Sequence, residues 1–325
     1  MTYKAIVIDK NPDYTATLTN LTEDQLPEGD VKIDVIASTM NYKDALAITN
    51  KNPVVRTFPL TPGIDLVGKV TESQSNRFKV GDTVVLNGFG VGEVHSGGLA
   101  EKASLKSDWL IHLPKSISPV DAMTIGTAGY TAMLSIIALE KHGLTPESGK
   151  ILVTGATGGV GSFAVSLLAK LGYEVIAATG KASEHEYLYQ LGAKEIIDRH
   201  ELSEKGKPLQ KMRWVGAIDS VGSNTLVNVL ASTEYGGCVA ACGLAQGFDL
   251  DGTVMPFILR NVTLRGVDSV MRPLPDRIEA WSRLAELIDP ATLANIRTEI
   301  TLDEVIESAD KIINGEIKGR LVVKI

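Results

Sequence analysis

Cysteine is nearly absent: Cys238 and Cys242 are the only two in 325 residues. Two thiols exclude a disulfide-stapled fold and a four-cysteine structural zinc site. They stand four apart in one apolar run, which would place them on the same side of a strand and suits packing better than metal binding. Histidine is also scarce. His95, His112, His142, His185 and His200 do not cluster, and all five read as structural or surface residues. Aromatics make up 5% of the chain, so its core should be mostly aliphatic. Positive charge is in deficit, with 32 Lys and Arg against 39 Asp and Glu, a net charge of -7 and a pI of 5.4. That balance argues against a nucleic-acid surface, though it leaves room for a local basic pocket. The opening MTYKAIVIDKNPDY lacks a basic segment followed by an apolar one, so no secretory leader is expected. No membrane span is expected either, since one needs about 18 or more consecutive apolar residues. What remains is a globular chain of about two domains, 44% hydrophobic with mean hydropathy +0.09, expected in the reducing cytoplasm.

The densest information lies at Ile151-Leu152-Val153-Thr154-Gly155-Ala156-Thr157-Gly158-Gly159-Val160-Gly161. An apolar β-type run meets a glycine-dense turn. A helical pattern of Phe163, Val165, Leu167, Leu168 and Leu171 follows and stops at Gly172. Glycines let the backbone approach a pyrophosphate, and the helix start offers it unbonded N–H groups. Ala156-x-Gly158-x-x-Gly161 is the dinucleotide fingerprint with alanine for its first glycine. Thr157, Gly158, Gly159 and Val160 are therefore expected to hold the pyrophosphate.

The following strand decides which dinucleotide. NAD sites place a carboxylate near the end of this strand, against the ribose 2′-OH. Here it ends Ala178-Thr179-Gly180-Lys181-Ala182-Ser183, with no acid before Glu184. Thr179 and Gly180 leave room for a 2′-phosphate, Lys181 and Ser183 offer it a charge and a hydroxyl, and Arg199 follows the third strand. The cofactor expected is NADPH.

Short β runs broken by Gly, Pro and Asn fill the first third: Lys4–Ile8, Val31–Ser38, Asp65–Val70, Thr83–Leu86 and Trp109–His112. The pattern turns helical at Pro119–Leu139. From Lys150 strands and helices alternate, with strands expected at Ile151–Thr154, Glu174–Thr179, Glu195–Asp198, Val215–Ser220 and Gly237–Gly243. The fold class expected is α/β, a doubly wound parallel sheet beside a barrel-like β portion. Helical patterns at Arg277–Leu287 and Leu302–Asn314 precede a last β run, Arg320–Ile325, which should return to the first domain.

Several phrases make a family resemblance specific: Asn41-Tyr42-Lys43-Asp44, Pro62-Gly63-Ile64-Asp65, Gly126-Thr127-Ala128-Gly129-Tyr130-Thr131-Ala132, the glycine loop, Tyr235 to Leu244, Phe257-Ile258-Leu259-Arg260 and Gly266-Val267-Asp268-Ser269-Val270. Across essentially its whole length the chain resembles the zinc-free medium-chain dehydrogenases/reductases of the quinone oxidoreductase branch, most closely the acrylyl-CoA reductases. The resemblance implies a discontinuous GroES-like β-barrel catalytic domain (1–122 and 300–325) around a Rossmann NADPH-binding domain (123–299). Zinc relatives carry Gly-His-Glu where this chain has Gly63-Ile64-Asp65. The glycine loop also fits the short-chain dehydrogenases, but those need Tyr-x-x-x-Lys, and no tyrosine here has lysine four residues later.

The implied reaction is hydride transfer to the β-carbon of an activated C=C bond without a metal, with acryloyl-CoA reduced to propanoyl-CoA as the nearest match. The alternatives are an NADPH:quinone or enone oxidoreductase, and a non-catalytic NADPH-binding redox sensor. The resemblance makes Asn41 and Tyr42 the catalytic candidates: Asn41 as a donor to substrate or cofactor, and Tyr42 as a cofactor contact and proton donor, or else a residue that only orders its loop. It adds Thr127, Leu244, Ala245, Ser269 and Asn314 as cofactor contacts. Arg56, Arg272, Arg277, Lys318 and Arg320 are basic residues available to the phosphates of coenzyme A. A homodimer is expected, through edge pairing of Val239–Cys242 or of an antiparallel neighbour at Thr263–Val267.

Overall fold

The computed structural model describes all residues, Met1–Ile325. They form two compact units: Met1–Thr127 with Ser269–Ile325, and Ala128–Asp268.

The first unit opens with β1 (Thr2–Asp9), paired antiparallel to β2 (Thr15–Thr22). Then come β3 (Val31–Met40), α1 (Tyr42–Thr49), β4 (Asp65–Ser73), β5 (Thr83–Asn87), β6 (Lys102–Leu105) and β7 (Leu110–His112). The alternation of β3 explains its burial. Val31, Ile33 and Val35 face a core with Leu66, Val84, Leu86, Leu105 and Leu110, while Lys32 and Asp34 face outward.

Helix α2 (Pro119–His142) leaves helical angles at Gly126, where φ is 46°. It is long and apolar enough to cross a membrane by length and composition, contrary to expectation, but 89% of its apolar window is buried inside the protein, as in a core helix.

The second unit continues through β8 (Lys150–Val153), α3 (Gly159–Lys170), β9 (Glu174–Thr179), α4 (His185–Gln190), β10 (Glu195–Asp198), α5 (His200–Ser203), β11 (Trp214–Asp219), α6 (Ser223–Ala231), β12 (Thr233–Ala241), α7 (Met255–Arg260) and β13 (Thr263–Gly266). These strands form one parallel sheet in the order β10-β9-β8-β11-β12-β13. Val153 at the end of β8 pairs with Ala177 on one side and Ile218 on the other. Strand order reverses there, and a doubly wound sheet binds ligands at the carboxyl edge beside such a reversal. Two expectations are corrected. β13 runs parallel to β12, because a crossover through α7 joins them. β12 is internal and has no free edge, so among these strands only β13 is an edge on that side. Cys238 is buried in β12, and Cys242 falls just past its end.

The chain returns to the first unit with α8 (Leu274–Leu287), α9 (Pro290–Ile296), β14 (Arg297–Thr301), α10 (Val305–Ile313) and β15 (Arg320–Lys324). β15 pairs antiparallel with β3 and parallel with β14, closing the order β14-β15-β3-β4-β5-β7, with β6 also on β3. The return therefore begins at Ser269, not at 300. Helix α8 is fastened to the barrel: Arg277 donates to the Asn87 carbonyl at 2.6 Å, and the Trp281 indole N–H donates to Asn87 Oδ1 at 3.0 Å.

Candidate functional site

In the second unit, the turn from β8 into α3 is built around close approaches. Gly155 has φ of 59°, and a Cβ there would lie 2.6 Å from Ser220 Oγ. A Cβ on Gly161 would lie 2.2 Å from the Gly155 carbonyl oxygen. Gly158 caps α3 and brings no side chain to the helix start. The first helix-type bond comes from Ser162 N to Gly158 O at 2.9 Å, so the N–H groups of Gly159, Val160 and Gly161 precede the ladder. They suit a pyrophosphate.

Beside this turn lies a cavity of about 470 Å³ whose wall includes Thr157, Thr179, Gly180, Lys181, Arg199 and Ala245. The structure thus gathers six of the fifteen expected cofactor residues on one wall. No Asp or Glu lines it. Arg199 lies across Gly180, where a Cβ would sit 2.5 Å from Arg199 Nε. The Lys181 N–H donates to Thr179 Oγ1 at 3.1 Å, fixing the turn after β9. Two cations and no acid fit a phosphate-bearing ribose, so the residues present suit NADPH. Ser183 and Leu244 are exposed and lie outside this wall. His200, read from the sequence as structural or surface, lines it.

Behind the cavity, buried Asp219 accepts from Thr154 Oγ1 at 2.7 Å and from Gly222 N at 2.8 Å. Burial pushes its carboxyl up. Ser220 Oγ donates to the Thr154 carbonyl at 3.1 Å, so the ends of β8 and β11 are tied together. Burial pushes the Cys242 thiol up to about 12, which leaves it no thiolate character at neutral pH.

In the first unit, Asp65 is the hub of a buried polar network. Its Oδ1 accepts from Asn87 Nδ2 at 2.7 Å and Thr127 Oγ1 at 2.5 Å. Its Oδ2 accepts from Asn41 Nδ2 at 2.9 Å and Thr127 N at 2.8 Å. Arg320, 4% exposed, donates to Asn41 Oδ1 at 3.0 Å and Thr39 Oγ1 at 2.9 Å and stands 4.0 Å from Asp65. The kink at Gly126 is part of this arrangement, since a Cβ there would meet Asp65 Oδ2 at 2.8 Å.

This geometry changes the reading of Asn41. Its amide donates to Asp65 and to Asp44 (3.1 Å), and its oxygen accepts from Arg320. Both donor directions are spent inside the protein, so Asn41 anchors the start of α1 and is not a donor to substrate. Tyr42, the next residue and the first of α1, is 43% exposed. Thr127 donates its hydroxyl proton to Asp65. The Ser269 carbonyl is held by Arg277, and exposed Asn314 donates to Glu316 at 3.1 Å. Of the basic candidates, Arg320 and Arg277 are buried and bonded to protein groups, and Arg272 pairs with Asp276 at 2.7 Å. Arg56 and Lys318 are exposed.

Asp44 accepts from Asn41 N at 2.8 Å and Ile64 N at 3.0 Å. Burial, with Asp65 adding to it, outweighs these bonds and pushes its carboxyl up to about 6. A carboxyl raised in the folded state contributes stability that is present below its ordinary range and lost as pH rises through the folded value. The rise of roughly two units corresponds to about 3 kcal/mol. In urea titrations, the stability of the wild type relative to Asp44→Asn is expected to fall by about that amount between roughly pH 4 and pH 6. A difference that stays flat across that range would remove Asp44 as the titrating group.

Residues 27–115 match the family described as alcohol dehydrogenase GroES-like domain, and residues 159–289 the family described as zinc-binding dehydrogenase. No three His, Cys, Asp or Glu side chains gather in a way that could hold a metal. The chain is 52% identical to the "Probable acrylyl-CoA reductase AcuI" of Escherichia coli (strain K12), over 99% of both. It superposes with a TM-score of 0.97 on the yhdH oxidoreductase from Salmonella enterica in complex with NADP, at 53% identity and covering 99% of both chains. The Bacillus subtilis protein yhfP with NAD bound gives a TM-score of 0.95 at 42% identity, covering 100% of both.

Proposed function

From the membership of this chain in the medium-chain dehydrogenase/reductase family, in its quinone oxidoreductase branch, we propose that it reduces the activated C=C bond of acryloyl-CoA to give propanoyl-CoA, using NADPH. The observation that carries the cofactor is the acid-free cavity wall with Lys181 and Arg199 at the end of β9 and β10. The observation that carries the substrate is full-length similarity to an acrylyl-CoA reductase.

When bound, the nicotinamide supplies hydride to the electrophilic β-carbon of the enoyl thioester. The nucleotide unit fixes the cofactor: N–H groups at the start of α3 take the pyrophosphate, and Lys181 and Arg199 take the 2′-phosphate. The barrel unit offers Tyr42, whose hydroxyl is the candidate donor for the negative charge that develops on the thioester oxygen or for the α-carbon. Asn41, Asp65 and Arg320 hold the turn from which Tyr42 projects. Arg56 and Lys318 are the basic candidates still exposed for the phosphates of coenzyme A.

Oxidation of NADPH with acryloyl-CoA, 1,4-benzoquinone and a simple enone at matched concentrations tests the reading. The thioester is expected to turn over with the highest kcat/KM. Preference for quinone would move the substrate while leaving fold and cofactor in place, and no turnover with any acceptor would favour a cofactor-binding sensor. Lys181→Ala is expected to weaken NADPH binding about ten- to a hundredfold, the loss of a charged hydrogen bond, with NADH little changed. Equal losses for both would remove Lys181 from the 2′-phosphate.

The proposed partner is a second copy of the chain. β13 leaves one edge of the parallel sheet open, and Phe248, Val254, Ile258 and Leu259 nearby in sequence are exposed apolar side chains. Light scattering should give twice 34.7 kDa. A single-chain mass would end this part of the proposal. The free thiols Cys238 and Cys242 fit a reducing cytoplasm as its location.

A further inference from the structure

We propose that His200 is a third ligand of the cofactor's 2′-phosphate, one that strengthens the preference for NADPH as pH falls. The inference rests on the NADPH reading of the cavity. His200 shares the cavity wall with Lys181 and Arg199. Its ring is oriented: Nδ1 lies 2.6 Å from Asp198 Oδ1, and the His200 backbone N–H donates to the same oxygen at 2.9 Å. A carboxylate only accepts, so Nδ1 carries the proton in that contact. Nε2 bonds to no protein group. In the neutral ring it presents a lone pair, which repels a phosphate oxygen. In the protonated ring it presents an N–H on a cation, able to make a charge-assisted bond.

Asp198 sharpens the contrast. Beside a neutral ring, the Asp198–His200 pair places net negative charge next to the phosphate, and beside an imidazolium it is neutral overall. Histidine changes charge between about pH 5 and 8. Lys181 and Arg199 share its wall, and Glu201 is held by Arg213 at 2.9 Å. Glu204 and Lys205 follow at the end of α5, where Lys205 pairs with Asp251 at 2.9 Å. Helix α6, packed against α5, carries no charged side chain. A phosphate monoester gains charge above about pH 6, which strengthens its binding to cations as pH rises and so opposes the His200 effect.

Calorimetric titration with 2′,5′-ADP and with 5′-AMP isolates the 2′-phosphate without any turnover. It would be run near pH 6 and pH 8 on the wild type, His200→Asn and His200→Gln. Asparagine keeps an N–H for Asp198 and removes Nε2, while glutamine offers an amide that never charges. The wild-type ratio of 2′,5′-ADP to 5′-AMP affinity is expected to fall about five- to tenfold from the lower to the higher pH, and both variants should lack that fall. Parallel pH profiles in all three proteins would overturn the role of His200 and leave the NADPH reading standing. No preference for 2′,5′-ADP in any of them, at either pH, would overturn both.

Discussion

Asp65→Ala is expected to lower the stability of the chain by about 3–5 kcal/mol, the range for breaking a buried ion pair from one side. Four donor contacts, from Asn87, Asn41 and Thr127 (twice), lose their acceptor together. Arg320 is then left buried with its neighbouring countercharge gone, at a position where burial already lowers its pKa. The cavity adds to the cost. Activity should fall as well, because Asn41 is the cap of α1 and its amide would lose one of the bonds that set Tyr42 in place. Asp65→Asn separates charge from volume. It keeps an acceptor oxygen but turns an amide NH₂ toward donors, so it should fall between the wild type and the alanine variant. The pair Asp65→Ala with Arg320→Met should cost less than the sum of the single changes, by about 1–3 kcal/mol, because each removed charge is the other's reason for being tolerated. Guanidinium titrations check all of this. An alanine variant within about 1 kcal/mol of the wild type would show that the network is not held by its hub.

The parts of this site that were legible in the sequence are those whose partners lie close along the chain. The glycine loop, the strand before it and the missing acid after Ala178 lie within one βαβ unit, so spacing alone marked the turn and the acid-free stretch that borders the cavity. Asn41 was misread for the opposite reason. Its residue type and family phrase suggested a donor, and Asp44, three residues on, takes only one direction of its amide; the groups that occupy the rest, Asp65 and Arg320, are 24 and 279 residues away. The domain boundary was set too late on the same ground. Arg277 and Trp281 look like ordinary members of an amphipathic helix, and their shared partner, Asn87, lies 190 and 194 residues earlier. Strands β2 and β14 were missed because they are half-exposed and rich in threonine and charge, without the apolar alternation that marks β3. His200 carried a faint local signal, an aspartate two residues before it at the end of β10, which is enough to aim its Nδ1 but says nothing of the cavity that the residue lines.

Gly180→Asp is expected to reverse the choice of cofactor. Gly180 has no left-handed backbone requirement, so a side chain there is opposed by packing alone. That packing is Arg199. A Cβ would stand 2.5 Å from its Nε, 2.9 Å from Cδ and 3.1 Å from Cγ, so the stem of the arginine must leave the end of β9. Displacing the guanidinium removes the proposed charged partner of the 2′-phosphate, worth about 1.5–3 kcal/mol, and the new carboxylate adds repulsion at the same place. Together these should raise the Kd for NADPH by about a hundredfold or more. NADH meets the reverse situation, since a carboxylate at the end of the second strand is the group that bonds a free ribose 2′-OH. Its Kd should hold or improve. Gly180→Ala is the control that moves Arg199 without adding an acid, and it should cost NADPH about tenfold while leaving NADH unchanged. Fluorescence titration with each reduced cofactor reads these values directly. If Gly180→Asp weakened both cofactors equally, the contact of Arg199 across Gly180 would be packing, and the selection of NADPH would have to rest on Lys181 and its neighbours alone.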